Sequence, residues 1–177
     1  ILQGHGELDQ GTTAVLADFL TSNNFEVVYF ELTDTDVTLE PEDLLPQVVS
    51  PLDGTTVTVF STTELMYDET MADWRTHNGV DYACTQGAAV AAPVAGKVVS
   101  AGAEGNWGTV VVLEDAAGRL WRLCGVADPA VKAGDTVTAG QKLGTVGTVG
   151  CECAEESHIH VEVKQGESYL DPAKLPE

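Results

Sequence analysis

The chain holds four histidines, and three of them fall in two short segments, His77-Asn78-Gly79-Val80-Asp81 and His158-Ile159-His160. In an extended strand, residues i and i+2 face the same side, so His158 and His160 can look into one cleft. The step from His77 to Asp81 contains Gly79, which permits a turn that brings imidazole and carboxylate together. Two imidazoles and a carboxylate suit zinc. Three protein ligands with a fourth position left to water are the pattern of a catalytic zinc, whose bound water has a pKa of about 7. Either segment alone is also what an ordinary surface pair looks like.

A scaffold of strands must carry these groups. From about residue 47 the chain reads as short β runs punctuated by glycine: VTVF from Val57, VAAPVAGKVVSAG, GTVVVLED and RLWRLCGV, with Asp115-Ala116-Ala117-Gly118 as a hairpin turn. VKAGDTVTAGQKLGTVG continues the pattern, and HIHVEV is the last strand, leaving through Leu170-Asp171-Pro172. Such texture predicts a mainly β chain, a small antiparallel β-sandwich or barrel over residues 47–177. Residues 1–46 read as a short acidic α/β segment. Val15, Leu16, Phe19 and Leu20 lie at helical spacing, Phe25 to Leu32 form a strand-like run, and Pro41 and Pro46 break the chain after that run. His5, in a Gly-His-Gly loop, reads as an exposed turn residue.

The 177 residues are 44% hydrophobic and 20% charged, a globular composition. Twenty-eight acidic residues against eight basic ones leave a net charge of -20, which excludes nucleic acid as a partner and argues against adhesion to anionic lipid. Fourteen acidic residues and no Lys or Arg lie in residues 1–70, so the β region is far less acidic than what precedes it. Cys84, Cys124, Cys151 and Cys153 make no C-x-x-C pair; a bridge such as Cys84 to Cys124 is open to an exported chain, and reduced, partly buried thiols are the alternative. No apolar run is long enough to span a bilayer, and the chain begins at Ile1, so any membrane attachment is expected through a segment absent from this sequence.

The segments MADWRTHNGVDYACTQGAAVAAPVAGKVVSAG, GNWGTVVVLEDAAGRL, VKAGDTVTAGQKLGTVG and SHIHVEV with LDP together resemble the LytM or lysostaphin-type zinc peptidase domain over roughly residues 52–173. The opening WRTHNGVDYA is most similar to the sporulation protein Q branch. The resemblance implies one zinc ion held by His77, Asp81 and His160, with His158 as a catalytic histidine beside the metal-bound water. It also implies an extracytoplasmic place in a bacterial cell envelope, membrane-anchored in the full-length protein, and chemistry on the peptide bonds of peptidoglycan.

The family pattern has a Tyr-x-His-Leu strand that this chain replaces by Leu123-Cys124-Gly125-Val126. Gly125 stands where the histidine belongs, or Cys124 if the register slips by one. Losing one preorganised oxyanion donor costs about 10²–10³ in rate, roughly 3–4 kcal/mol, without emptying a metal site. The expectation is a zinc-competent domain with a weakened or inactive site, serving to bind a peptidoglycan peptide or an envelope partner protein. An active zinc endopeptidase is the alternative. On this reading Gly125→His restores activity, and Cys124 is either a soft ligand near the metal or a packed thiol.

Overall fold

In the computed structural model of the protein, residues 48–175 are described. The expected helix and strand of residues 1–46, and His5, lie outside them. The described residues form β1 (Thr55–Thr58), β2 (Ser61–Asp68), β3 (Asp73–His77), β4 (Gly79–Ala83), β5 (Ala89–Ala91), β6 (Gly96–Ala103) and β7 (Thr109–Asp115). The remaining strands are β8 (Leu120–Cys124), β9 (Val126–Ala127), β10 (Thr136–Val137), β11 (Lys142–Val146), β12 (His158–Gln165) and β13 (Ser168–Leu170). Eight strands make one antiparallel sheet ordered β1-β4-β12-β8-β7-β6-β10, with β13 on the distal half of β12. A smaller sheet, β5-β11-β9, and the β2-β3 hairpin complete the architecture.

Period-two alternation decides which face of the large sheet becomes core. Val80 on β4, Ile159, Val161 and Val163 on β12, Trp121 and Leu123 on β8, and Val111 and Leu113 on β7 are all buried on one side. Val90, Val126, Leu143 and Val146 from the smaller sheet meet them, giving the two-layered, mainly β domain that the spacing of short strands predicts. Fully burying such a side chain stabilises the fold by about 1.5–3 kcal/mol relative to exposure.

The expected hairpin turn is present and is held by a carboxylate. Asp115 Oδ1 accepts the backbone N–H of Ala117 and Arg119, while Oδ2 accepts Arg119 Nε at 2.6 Å and Trp121 Nε1 at 2.9 Å. Gly118 closes the turn at φ 71°, in the left-handed region that glycine enters without strain.

The β2-β3 hairpin was not among the expected strands. Leu65, Tyr67 and Trp74 on it are exposed, so it lacks the half-buried alternation that marks a strand in sequence. Its role is positional, because its last residue is His77.

All four cysteines are free thiols. Cys124 ends β8 and Cys84 comes just after β4, and β12 lies between those strands. Strands two positions apart are separated by roughly 9–10 Å, beyond the ~7 Å reach of a disulfide, which is why the Cys84–Cys124 bridge does not form.

Candidate metal centre

Strand register assembles the centre. Asp81 of β4 lies opposite His160 of β12, and His160 lies opposite Cys124 of β8. Directly opposed residues share a sheet face, so these side chains stand in a row on the face away from the core. His158 is on the same side of β12, two residues before His160.

His77 arrives differently. It ends β3, the single residue Asn78 follows, and β4 begins at Gly79, so His77 and Asp81 are joined across a one-residue break between two strands rather than by the expected turn. Gly79 is needed for space, not for an unusual φ. A Cβ there would lie 2.5 Å from the Val161 carbonyl oxygen and 2.7 Å from His160 Nε2, so the missing side chain is what lets the His160 ring lie down.

The polar atoms converge with a deficit of donors. His77 Nδ1 donates to the Val59 carbonyl oxygen at 3.0 Å, which leaves Nε2 with a lone pair in the neutral ring. That lone pair faces His160 Nδ1 at 3.1 Å and Asp81 Oδ2 at 3.1 Å, and His160 Nδ1 is 2.7 Å from Asp81 Oδ1. Asp81 is fully buried, and its Oδ2 has no hydrogen bond of good geometry despite the 3.1 Å approach. A buried acceptor cluster of this kind calls for a cation at its centre. Two imidazole nitrogens and a carboxylate are borderline-soft donors, a set that fits zinc.

Proton affinities reflect the same crowding. Burial disfavours charge on His160, but the hydrogen bond to Asp81 and the carboxylates of Glu162 and Glu152 outweigh it and raise its pKa to about 9. Burial likewise works against an ionised Asp81, yet His160 and His77 hold its carboxyl well below the usual carboxylate range. His77 is raised, its burial overcome mainly by Asp81.

A fourth group enters that the sequence did not suggest. Glu152 sits in a short 3-10 turn, Gly150–Glu152, and is buried. Its Oε1 lies 3.4 Å from His160 Nδ1 and 3.9 Å from His77 Nε2, and its Oε2 is 3.2 Å from His158 Nε2. His77, Asp81, Glu152 and His160 place their ligand atoms within 4.8 Å of one another. Glu152 falls in a loop of no periodic pattern between two cysteines, and only tertiary folding brings that loop to β12.

Around this centre, Trp107 packs against the His160 ring at 4.8 Å between centroids, and the Arg122 guanidinium lies 5.0 Å from the Trp107 ring. Arg122 pairs with Glu162 at 2.8 Å and Glu104 at 2.9 Å. Glu162 Oε1 lies 3.5 Å from His160 Nε2, a contact between charged groups rather than a hydrogen bond, since that buried nitrogen has no hydrogen-bond partner. Beside Glu152 and His158 opens a cleft of about 190 Å³ walled also by Gln86, Thr148 and Ser157.

At the position where a histidine is expected, the chain has a glycine in a left-handed, hydrogen-bonded link. Gly125 links β8 to β9 at φ 84°, donates to the Thr109 carbonyl and accepts from Gly147 N–H; a Cβ there would lie 2.7 Å from Val149 Cγ2. Cys124 shares the face of His160 but is not among the converging ligand groups, and burial pushes its thiol far above the ordinary range, keeping it protonated.

Comparison with known proteins places this arrangement. The chain is 29% identical over 102 residues to the DD-carboxypeptidase/endopeptidase Mpg of Neisseria meningitidis serogroup B, which covers 58% of this chain and 23% of that protein. The chain thus spans about a quarter of the length of the curated relatives it matches. Among solved structures, the catalytic domain of the antimicrobial peptidase lysostaphin from Staphylococcus simulans aligns with TM-score 0.57 and 25% identity, over 68% of this chain and 90% of that one. The SpoIIQ–SpoIIIAH pore-forming complex aligns with TM-score 0.65 over 75% of this chain and 92% of that chain, and at 23% identity it shares the fold. Residues 75–172, more than half of the sequence and the stretch in which the whole centre lies, match Peptidase family M23, and the chain belongs to that family.

Proposed function

We propose that this M23 domain is a zinc-holding module of a bacterial cell envelope whose hydrolytic chemistry is weakened or lost, and which binds a peptidoglycan peptide or an envelope partner protein. His77, Asp81 and His160 would hold one zinc ion; their buried, donor-poor convergence supports this. Held by those three ligands alone, zinc would keep an open position from which to polarise a carbonyl and activate water. The observation that carries the loss of activity is Gly125. A left-handed glycine packed on Val149 offers no imidazole for an oxyanion, and the three histidines among the described residues are already committed to the centre.

His158 adds to the argument. Its Nδ1 donates to the Glu156 carbonyl at 2.7 Å and its Nε2 meets Glu152 Oε2 at 3.2 Å, so both ring nitrogens are engaged within the protein. Burial works against its charged form, but Glu152 and the Glu156 carbonyl raise its pKa and favour the imidazolium. A general base or oxyanion donor needs a free nitrogen facing substrate.

The likeness in fold to a chain of the SpoIIQ–SpoIIIAH complex supports an assembly role, whereas the sequence likeness to Mpg, named as a carboxypeptidase and endopeptidase, supports the alternative of an active peptidoglycan peptidase. Muropeptide release from purified peptidoglycan separates the two. The expected result is no turnover above that of His158→Ala; robust release abolished by His158→Ala establishes the peptidase instead. Metal analysis tests the zinc reading, which fails if the parent chain carries no stoichiometric zinc and His160→Ala behaves like the parent.

A further inference from the structure

We propose that Glu152 is the fourth protein ligand of the metal, so that the loaded site is closed and holds no exchangeable water. The inference rests on the zinc reading above and goes beyond it, because a three-ligand site with an open position is built for catalysis whereas a four-ligand site is structural.

Three observations converge on Glu152. The first is distance. A tetrahedron with bonds of about 2.05 Å has edges of about 3.3 Å. The observed separations are 3.1 Å from His77 Nε2 to both His160 Nδ1 and Asp81 Oδ2, 2.7 Å from His160 Nδ1 to the other Asp81 oxygen, Oδ1, and 3.4 and 3.9 Å from Glu152 Oε1 to the two imidazoles. Glu152 Oε1 is therefore about one such edge from His160 and little more from His77, and the Asp81 and Glu152 ligand atoms lie within 4.8 Å of each other, a spread that one ion can span.

The second is charge. Asp81 and Glu152 bring two buried carboxylates within 4.8 Å of each other, and Asp81 Oδ2 lacks a hydrogen bond. Buried like charges are unfavourable unless a cation separates them. A dication with His77 and His160 neutral balances the two carboxylates, His158 on the far oxygen of Glu152 lying outside this count.

The third is support. Glu152 is carried by the 3-10 turn Gly150–Glu152, and that turn packs against the turn Gly105–Trp107, where a Cβ on Gly150 would lie 2.9 Å from the Asn106 carbonyl oxygen. Its other oxygen is held by His158 at 3.2 Å. One carboxylate thus fills the water position with Oε1 and ties down the imidazole of His158 with Oε2.

The test uses the full chain loaded with Co²⁺ as a spectroscopic stand-in for zinc, with azide as a small anion that adds only to an open coordination position. Parent, Glu152→Ala and Glu152→Gln are compared, with far-UV circular dichroism confirming folding; the isosteric Gln variant keeps the comparison sound if the Ala variant unfolds. The parent is expected to show intense four-coordinate bands that azide leaves unchanged. The variants are expected to show altered bands that azide shifts, and affinity lower by at least about tenfold in chelator competition. A parent spectrum that responds to azide, or variants that match the parent in spectrum and affinity, overturns the role of Glu152 while leaving the zinc site standing. A folded parent that takes up no stoichiometric Co²⁺ or Zn²⁺ overturns both.

Discussion

Two glycines decide what this centre can and cannot become. On the proposed reading Gly125 stands where a histidine is expected, yet its left-handed φ and the 2.7 Å approach of an added Cβ to Val149 Cγ2 mean that an imidazole there cannot simply be introduced. Gly125→His is expected to lower stability by roughly 1–3 kcal/mol and to give no gain in muropeptide release. Thermal unfolding and a peptidoglycan assay check this, and a gain in turnover would show that the strand relaxes. Sequence alone points to rescue because backbone conformation and a side chain from a distant loop are invisible in Leu123-Cys124-Gly125-Val126. At Gly79 the restriction is the reverse: Gly79→Ala forces the His160 ring away from β4. It is expected to cost about 1–3 kcal/mol in stability and to weaken metal binding, read by chelator competition. His77, Asp81, His158 and His160 were legible because their type and spacing are local. Glu152 was not, because nothing near it in sequence distinguishes it from the other loop carboxylates.

At the level of elements, the hairpin between β7 and β8 is the part most dependent on one charge. Burial works against an ionised Asp115, but Trp121, the backbone N–H of Arg119 and its guanidinium hold the carboxyl below its ordinary range. A depressed folded-state pKa gives stability that is present above the unfolded value of about 3.9 and is lost as pH falls through the folded one. Asp115→Ala is expected to destabilise by about 3–5 kcal/mol at neutral pH, since it strands Arg119 and the Trp121 indole N–H. Parallel denaturation of parent and Asp115→Asn should show the parent's advantage shrinking below about pH 4. A gap that stays constant to pH 2 would assign the role to packing. The hairpin itself was readable from Asp115-Ala116-Ala117-Gly118, and so was β12 from its alternation. The β2-β3 hairpin was not, because its apolar residues Leu65, Tyr67 and Trp74 face outward.

For the molecule as a whole, the apolar cluster that joins the two sheets is built from residues between Leu52 and Val163, with Val48 and Leu175 packed on its margins. We propose accordingly that the β domain begins at about residue 47, and that a chain shortened to 47–177 retains cooperative unfolding and metal stoichiometry; loss of either on truncation would make the acidic segment part of the folding unit. The fold class was accessible from sequence since glycine-punctuated alternation is a global pattern, while the membership of the smaller sheet was not, because pairing β5 with β11 and β11 with β9 joins residues far apart in the chain. One arrangement reaches further than the site. In β12 the site-facing residues, His158, His160 and Glu162, alternate with Ile159, Val161 and Val163 of the core. Inserting or deleting a single residue there would exchange the two sets, placing isoleucine and valine at the metal and histidine in the apolar interior. A strand of this kind has no heritable path through changes of length. Under the proposed function, chemistry is lost instead one side chain at a time with the fold intact, as at Gly125.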